Sequence, residues 1–272
     1  MKAVTIRKSH PVWEFPDFDE LVLQEKKHAY CVCVFVINEG ERIQSQLKRM
    51  KKFADKIDVV VADGGSTDGS LGEDFLKEQD VRALLTKTGP GKLSAQMRMA
   101  FAWALTEGYK GVVVVDGNGK DDISAIPDFI ALLDKGYDHI QGSRFVPGGK
   151  AINTPLSREL GLHLLHAPLI SLASRKRHTD TTNGFRAYST KLLYDENIAV
   201  FRDIFQTYEL HYYLAIESSR RPQYRTIETP VTRKYPKEGK IPTKISPLKG
   251  NLRILSTLFK AVSGKYKLKK GQ

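Results

Sequence analysis

Val112–Asp122 reads VVVVDGNGKDD. Four consecutive valines are too short and too β-branched a run for a helix, and they suit a strand covered on both faces. The strand runs directly into Asp116, Gly117, Asn118, Gly119, Lys120, Asp121 and Asp122. In an open α/β sheet, ligands are taken up beyond the carboxyl ends of the strands, where such loops lie. Oxygen donors crowded on a tight turn also suit a hard divalent cation carrying a phosphate. Taken alone, the segment is equally compatible with a solvated turn.

Working outward, the same pattern recurs. Tyr30–Ile37 (YCVCVFVI), Ile57–Ala62 (IDVVVA) and Val81–Thr86 read as buried strands. Helical spacing follows or separates them over Glu41–Ala54, Leu71–Glu78 and Leu93–Thr106. Strands alternating with helices imply right-handed crossovers and a mainly parallel, Rossmann-like α/β sheet with helices on both faces. Parallel strands bring their following loops to one edge. Asn38 and Glu39, Asp63, the stretch Lys87–Lys92 and Asp116 therefore converge, and this repetition favours a ligand site over a chance turn.

Farther along, Ile126–Leu133 reads as a helix and His139–Gln141 as a short strand entering GSRFVPGG (Gly142–Gly149). Leu156–Leu172 has a helical pattern broken by Pro168, and DTTNGFRAYS spans Asp180–Ser189. A helix is expected around Phe205–Ile216 and a strand near Tyr224–Pro230. A final amphipathic helix, Leu248–Val262, carries Lys260 and leads into Lys265, Lys267, Lys269 and Lys270. Residues 1–29, with their prolines, aromatics and charges, read as an irregular N-terminal arm; residues 30–247 form the main domain and 248–272 a helix with a basic tail.

The chain has 272 residues, 41% of them hydrophobic, enough for a substantial core. Its formal charge of +12 points to anionic partners. The basic residues are scattered rather than gathered with aromatics on one recognition element, so no nucleic acid is expected. Cys31 and Cys33 share one strand face without metal or disulfide spacing and read as packed thiols. The polar N-terminal segment lacks a signal-peptide pattern, and no apolar run approaches the roughly 20 residues of a spanning helix. A cytoplasmic protein, peripheral on the membrane face, is expected. The glycine-rich DGGSTDGS and GPGK segments match neither a dinucleotide fingerprint nor a phosphate-binding P-loop. His163 and His166 lack a third ligand and read as packing or surface residues.

Taken together, VINEGERI (Val36–Ile43), VVVADGGSTDGS (Val59–Ser70), VVVVDGNGKDD, GSRFVPGG and TNGFRAYS resemble the inverting family 2 glycosyltransferases of GT-A fold. The branch they look most like is the dolichyl- or polyprenyl-phosphate mannose synthases. The resemblance implies that Asn38, Glu39 and Asp63 hold the base and ribose of a nucleotide-diphosphate sugar. It implies that Asp116 and Asn118 hold Mg²⁺ or Mn²⁺ on the diphosphate, with Lys92, Arg233 and Lys244 also binding the donor. Arg144 and Arg158 would hold an acceptor phosphate, and Asp116, Arg144 and Arg186 would form the catalytic set. Asn183 and Gly184 would line the sugar pocket, with Asp180 and Glu209 as further acids beside it.

The match departs from the family in informative places. Gly64 stands where a second acid is usual, and Asp68 suits the cap of the next helix as well as a ligand. Asn118 replaces the second acid of D-x-D, and Lys120 occupies the next metal position. Either a weakened ion site remains, helped by Asp121 or Asp122, or Lys120 neutralises the diphosphate itself. The spacing from Arg233 to Thr243–Lys244 is long, which leaves Lys240 as an alternative. The expected reaction moves a hexose from a nucleotide-diphosphate sugar, with GDP-mannose and UDP-glucose both among the candidate donors, to a polyprenyl phosphate with inversion, at an anionic membrane surface. A saccharide acceptor in polysaccharide assembly, a non-catalytic basic lipid- or nucleic-acid-binding module and a nucleotidyltransferase remain as alternatives.

Overall fold

The computed structural model describes residues 2–237 and 249–268. In chain order the first half comprises α1 (Lys2–Ser9), β1 (Phe18–Val22), β2 (Tyr30–Val36), α2 (Glu41–Met50), β3 (Asp58–Asp63), α3 (Glu73–Glu78), β4 (Val81–Lys87), α4 (Leu93–Thr106) and β5 (Gly111–Asp116). Then follow α5 (Ile126–Asp134), β6 (His139–Ser143), β7 (Lys150–Ile152), α6 (Leu156–Gly161), α7 (Ala167–Ser174) and β8 (Arg186–Ser189). The remaining elements are α8 (Thr190–Tyr194), α9 (Glu209–Arg220), β9 (Thr226–Pro230), β10 (Thr232–Lys234) and α10 (Lys249–Val262).

Eight strands form one sheet in the order β1-β4-β3-β2-β5-β8-β6-β9. The central β4-β3-β2-β5 block is parallel, as the valine runs predict. Alternation divides each strand between two cores. Cys31, Cys33, Phe35, Val112 and Val114 face α4 and α9. Val32, Val34, Val36, Val113 and Val115 face α2 and α5. A sheet covered on both sides is what near-continuous hydrophobic strands require. Both cysteines are buried and unbridged on one face of β2, as expected.

Residues 1–29 are not an irregular arm. β1 pairs antiparallel with β4 as an edge strand, from Phe18 opposite Lys87 to Val22 opposite Ala83. Ala3, Ile6, Phe15 and Phe18 enter the core that contains α4. β8, inside the glycine-containing TNGFRAYS motif, is likewise a strand, inserted antiparallel between β5 and β6. Pro168 does not break the helix around it. A single π-helical turn, Leu162–His166, joins α6 to α7, and Pro168 sits in the first turn of α7, where its missing N–H costs little. The last helix, α10, packs through Leu258 and Ala261 against the core containing α9 and leaves Leu252 and Phe259 exposed. Leu248, Lys269 and Lys270 lie outside the described residues.

Candidate active site

The sheet register places the expected loops side by side. Val36 lies opposite Asp63, Phe35 opposite Asp116, and Asp63 opposite Thr86. Asn38 takes a left-handed backbone (φ 46°), which asparagine tolerates better than most residues. Its Oδ1 accepts from the Thr67 N–H at 2.8 Å, and its own N–H donates to Ser66 Oγ at 2.9 Å. Asp63 is buried and accepts from the Ser66 N–H and hydroxyl, while Glu39 pairs with Arg42 at 2.8 Å. The loops after β2 and β3 thus form one stapled rim. Asp68 belongs to that staple, accepting from Gly40 N–H and Ser70. It does not cap α3, which starts five residues later with Gly72 at its N-cap. Lys92 is exposed at the N-cap of α4, on the same edge.

Asp116 is held by contacts with four residues. Gln46, wholly buried on α2, donates to the Asp116 carbonyl at 3.0 Å and accepts from Gly119 N–H at 2.9 Å, closing the turn. Gly184 lies so close that an added Cβ would stand 3.0 Å from Asp116 Oδ1. Asn118 Nδ2 donates to Asp116 Oδ2 at 3.2 Å.

The fourth contact is Arg233. The segment around Asp121 pairs with β10: Asp122 N–H donates to Thr232 O at 2.9 Å and Lys234 N–H to Lys120 O at 2.8 Å. This pairing carries the Arg233 guanidinium between two carboxylates, 3.0 Å from Asp116 Oδ2 and 2.5 Å from Asp121 Oδ2. Burial alone would raise the Asp116 pKa, but Arg233 and Lys120 hold it below the usual carboxylate range. Burial and the neighbouring Asp116 raise that of Asp121. Burial and Arg233 together lower that of Lys120.

These contacts bear on the expected cation. The place between Asp116 and Asp121 is held by a guanidinium, and Asn118 Oδ1 already accepts from the Lys120 N–H at 3.3 Å. No cluster of three or more metal-binding side chains occurs among the described residues. Two carboxylates bridged by Arg233 and one amide, with Lys120 beside them, are a poor donor set for a resident Mg²⁺ or Mn²⁺. The expected ion pair of ligands, Asp116 and Asn118, is instead tied to Arg233 and to each other.

Next to this pair lies Tyr235, 5% exposed, which the sequence reading did not single out. Arg158, on α6, donates to its hydroxyl at 3.4 Å, and Lys120 Nζ stands 5.3 Å from its ring centre. Burial would raise the Tyr235 pKa, yet Arg233, Arg158, Lys120 and Arg144 together lower it. Four cations from four separate segments therefore surround one phenol beside Asp116. The only sequence signal for it was its place two residues after Arg233.

Two expected catalytic residues sit differently. The Arg144 Nε and Nη2 are taken by buried Asp180, at 2.6 and 2.9 Å, and Nη2 also donates to Thr182 Oγ1. Burial opposes ionisation of Asp180, but the Arg144 bonds prevail and keep its pKa low. Arg186 is 1% exposed, and its three nitrogens donate to the carbonyls of Asn183, His211 and Thr181. It braces the loop that carries Gly184, with its guanidinium engaged by backbone carbonyls. Glu209 accepts from Gln206 N–H and Thr207 and holds the start of α9. Lys240 and Lys244 lie outside the described residues.

A mostly parallel sheet whose rim holds carboxylates, with the segment bearing Arg233 folded onto it, has the architecture of a GT-A fold. The overall fold matches glucosyl-3-phosphoglycerate synthase from Mycobacterium tuberculosis, solved with Mn²⁺, UDP and phosphoglyceric acid. That match has a TM-score of 0.61 at 16% identity and covers 89% of this chain and 80% of the other. Residues 31–208 match glycosyl transferase family 2, and the chain belongs to that family. It is 28% identical over 165 residues to polyprenol monophosphomannose synthase of Mycolicibacterium smegmatis, covering 60% of this chain and 62% of that protein. It is 31% identical over 163 residues to undecaprenyl-phosphate mannosyltransferase of Micrococcus luteus, covering 57% of this chain and 64% of that protein. The chain thus spans a little under two thirds of the length of these relatives.

Proposed function

We propose that the chain transfers a hexose, mannose from GDP-mannose first among candidates, to a polyprenyl phosphate with inversion. The observation that carries this reading is the gathering of Lys120, Arg158 and Arg233 around Tyr235 beside Asp116. A phosphate acceptor is already ionised near neutral pH and needs orientation and charge compensation rather than a general base. The nearest carboxylates, Asp116 and Asp121, are both bound by Arg233, which suits an acceptor of that kind. The relatives' names point the same way.

In this reading Asn38, Glu39 and Asp63 receive the nucleoside, with Lys92 at the rim. Arg233 and Lys120 neutralise the leaving diphosphate in place of a resident ion. Arg158 and Tyr235 hold the acceptor phosphate, and Arg144, fixed by Asp180, supports that pocket. The protein would work at the cytoplasmic face of an anionic membrane.

The test is incubation with radiolabelled GDP-mannose or UDP-glucose and a polyprenyl phosphate, with Mg²⁺, Mn²⁺ or EDTA. Label is expected in butanol-extractable lipid, with EDTA lowering the rate by less than about threefold. A collapse in EDTA would return the charge-compensating role to an ion at Asp116 and Asn118. One observation favours a second reading, a saccharide acceptor: the Arg144 Nε and Nη2 are already engaged by Asp180. Label confined to water-soluble saccharide would select it.

A further inference from the structure

The helical run from α6 through the π turn to α7 presents an apolar ridge to solvent. Leu156, Leu160, Leu164 and Leu172 are 71%, 48%, 74% and 77% exposed, and Pro168 between them is exposed too. Each follows the last by four residues. In a plain α-helix such a row over-rotates by about 40° per step, since 3.6 residues make a turn, and it would wind round the helix. The π turn holds more residues per turn and rotates the row back. The ridge therefore stays on one side for about 24 Å. On the inward side of the same helix are Leu162 and His166, both buried, and Arg158 reaching to Tyr235.

The ridge ends in three consecutive exposed cations, Arg175, Lys176 and Arg177. Leucines in a row beside a basic cluster are the pattern of a helix lying in the headgroup layer of an anionic bilayer. A second copy of the chain is a poorer occupant, because it would bring one net charge of +12 against another. The ridge is also convex, so it offers no groove for a peptide.

We propose that this ridge, with Arg175 and Arg177 at its end, is the surface by which the protein lies on an anionic lipid bilayer. The inference rests on the membrane-borne acceptor proposed above and names the element that meets the membrane. The bilayer would then be one helix diameter from the Arg158–Tyr235 pair, so that a lipid phosphate reaches the pocket while its chain stays in the membrane.

Co-sedimentation of the full chain with vesicles of phosphatidylcholine alone, or with one quarter phosphatidylglycerol, tests this. Wild type should bind the anionic vesicles. Leu160→Gln with Leu164→Gln should lower the partition coefficient at least tenfold, and Arg175→Gln with Arg177→Gln at least threefold. Lys265→Gln with Lys267→Gln, in the segment after α10, should leave it unchanged. As a check independent of folding losses, Leu164→Trp should show a blue shift of fluorescence when vesicles are added. Unchanged vesicle binding by the leucine pair, or an unshifted tryptophan, overturns the inference while leaving the transfer reaction intact. So does light scattering that shows a wild-type dimer dispersed by the leucine substitutions. Transfer to a short-chain, water-soluble polyprenyl phosphate reads the reaction separately, and the leucine variant should keep it.

Discussion

Gly184 does for Asp116 what no hydrogen bond could: it leaves room for the carboxylate. Replacing it with alanine puts a methyl group 3.0 Å from Oδ1 at a position without positive φ, so the backbone tolerates the change and the carboxylate must move. Transfer should fall about a hundredfold in kcat/KM, the scale of a misplaced reacting group. The melting temperature should stay within about 3 °C of wild type. Loss of fold without loss of activity per folded molecule would contradict this. Lys120 gives a second prediction. Burial and Arg233 lower its pKa, so its folded form sheds the proton at lower pH than an exposed lysine. Its charge is then present below that pKa and lost as pH rises through it. The alkaline limb of kcat/KM, which reports the free enzyme, should begin below the ordinary lysine range. Lys120→Arg should push that limb upward, because guanidinium keeps its proton. A limb unmoved by the substitution would assign it to another group.

At the level of elements, Arg144 and Asp180 join the GSRF loop to the loop before β8 in a buried pair, 4% and 0% exposed at the side chains. Arg144→Met strands the carboxylate, and unfolding in urea should show a loss of about 3–5 kcal/mol. Asp180→Asn with Arg144→Met should recover part of it. The central strands were legible because β2 to β5 are apolar on both faces, and the loops that follow them could be placed by topology alone. β1 was not, since Asp19 and Glu20 disguise an edge strand whose fit depends on distant partners, among them Trp103, which donates to Glu20. β8 was hidden in a motif read for its ligands. Arg144 and Arg186 were read from position in a motif, but which partner a guanidinium finds is a tertiary fact: Asp180 for one, three carbonyls for the other. Tyr235 and Gln46 were missed for a related reason. Their importance arises only when residues about a hundred positions apart are folded together.

On the scale of the whole molecule, the sheet is asymmetric. One half, β4-β3-β2-β5, is parallel and carries the rim with Asp63 and Asp116; the other mixes directions. The net charge of +12 gives the whole molecule a field that attracts anions. The parallel half has a boundary at β4, and β1 closes it with an antiparallel pairing over five residues. Without that cover, β4 would present a row of unsatisfied amides and carbonyls, a template on which other chains can add as strands. Deleting residues 1–23 should therefore make the protein self-associate through its own sheet. Light scattering that grows with concentration, and thioflavin fluorescence absent from the full chain, would reveal it. A monodisperse truncated protein would mean that the border strand is dispensable. The first two dozen residues, the least readable part of the sequence, thus act as the guard that keeps neighbouring molecules from joining edge to edge.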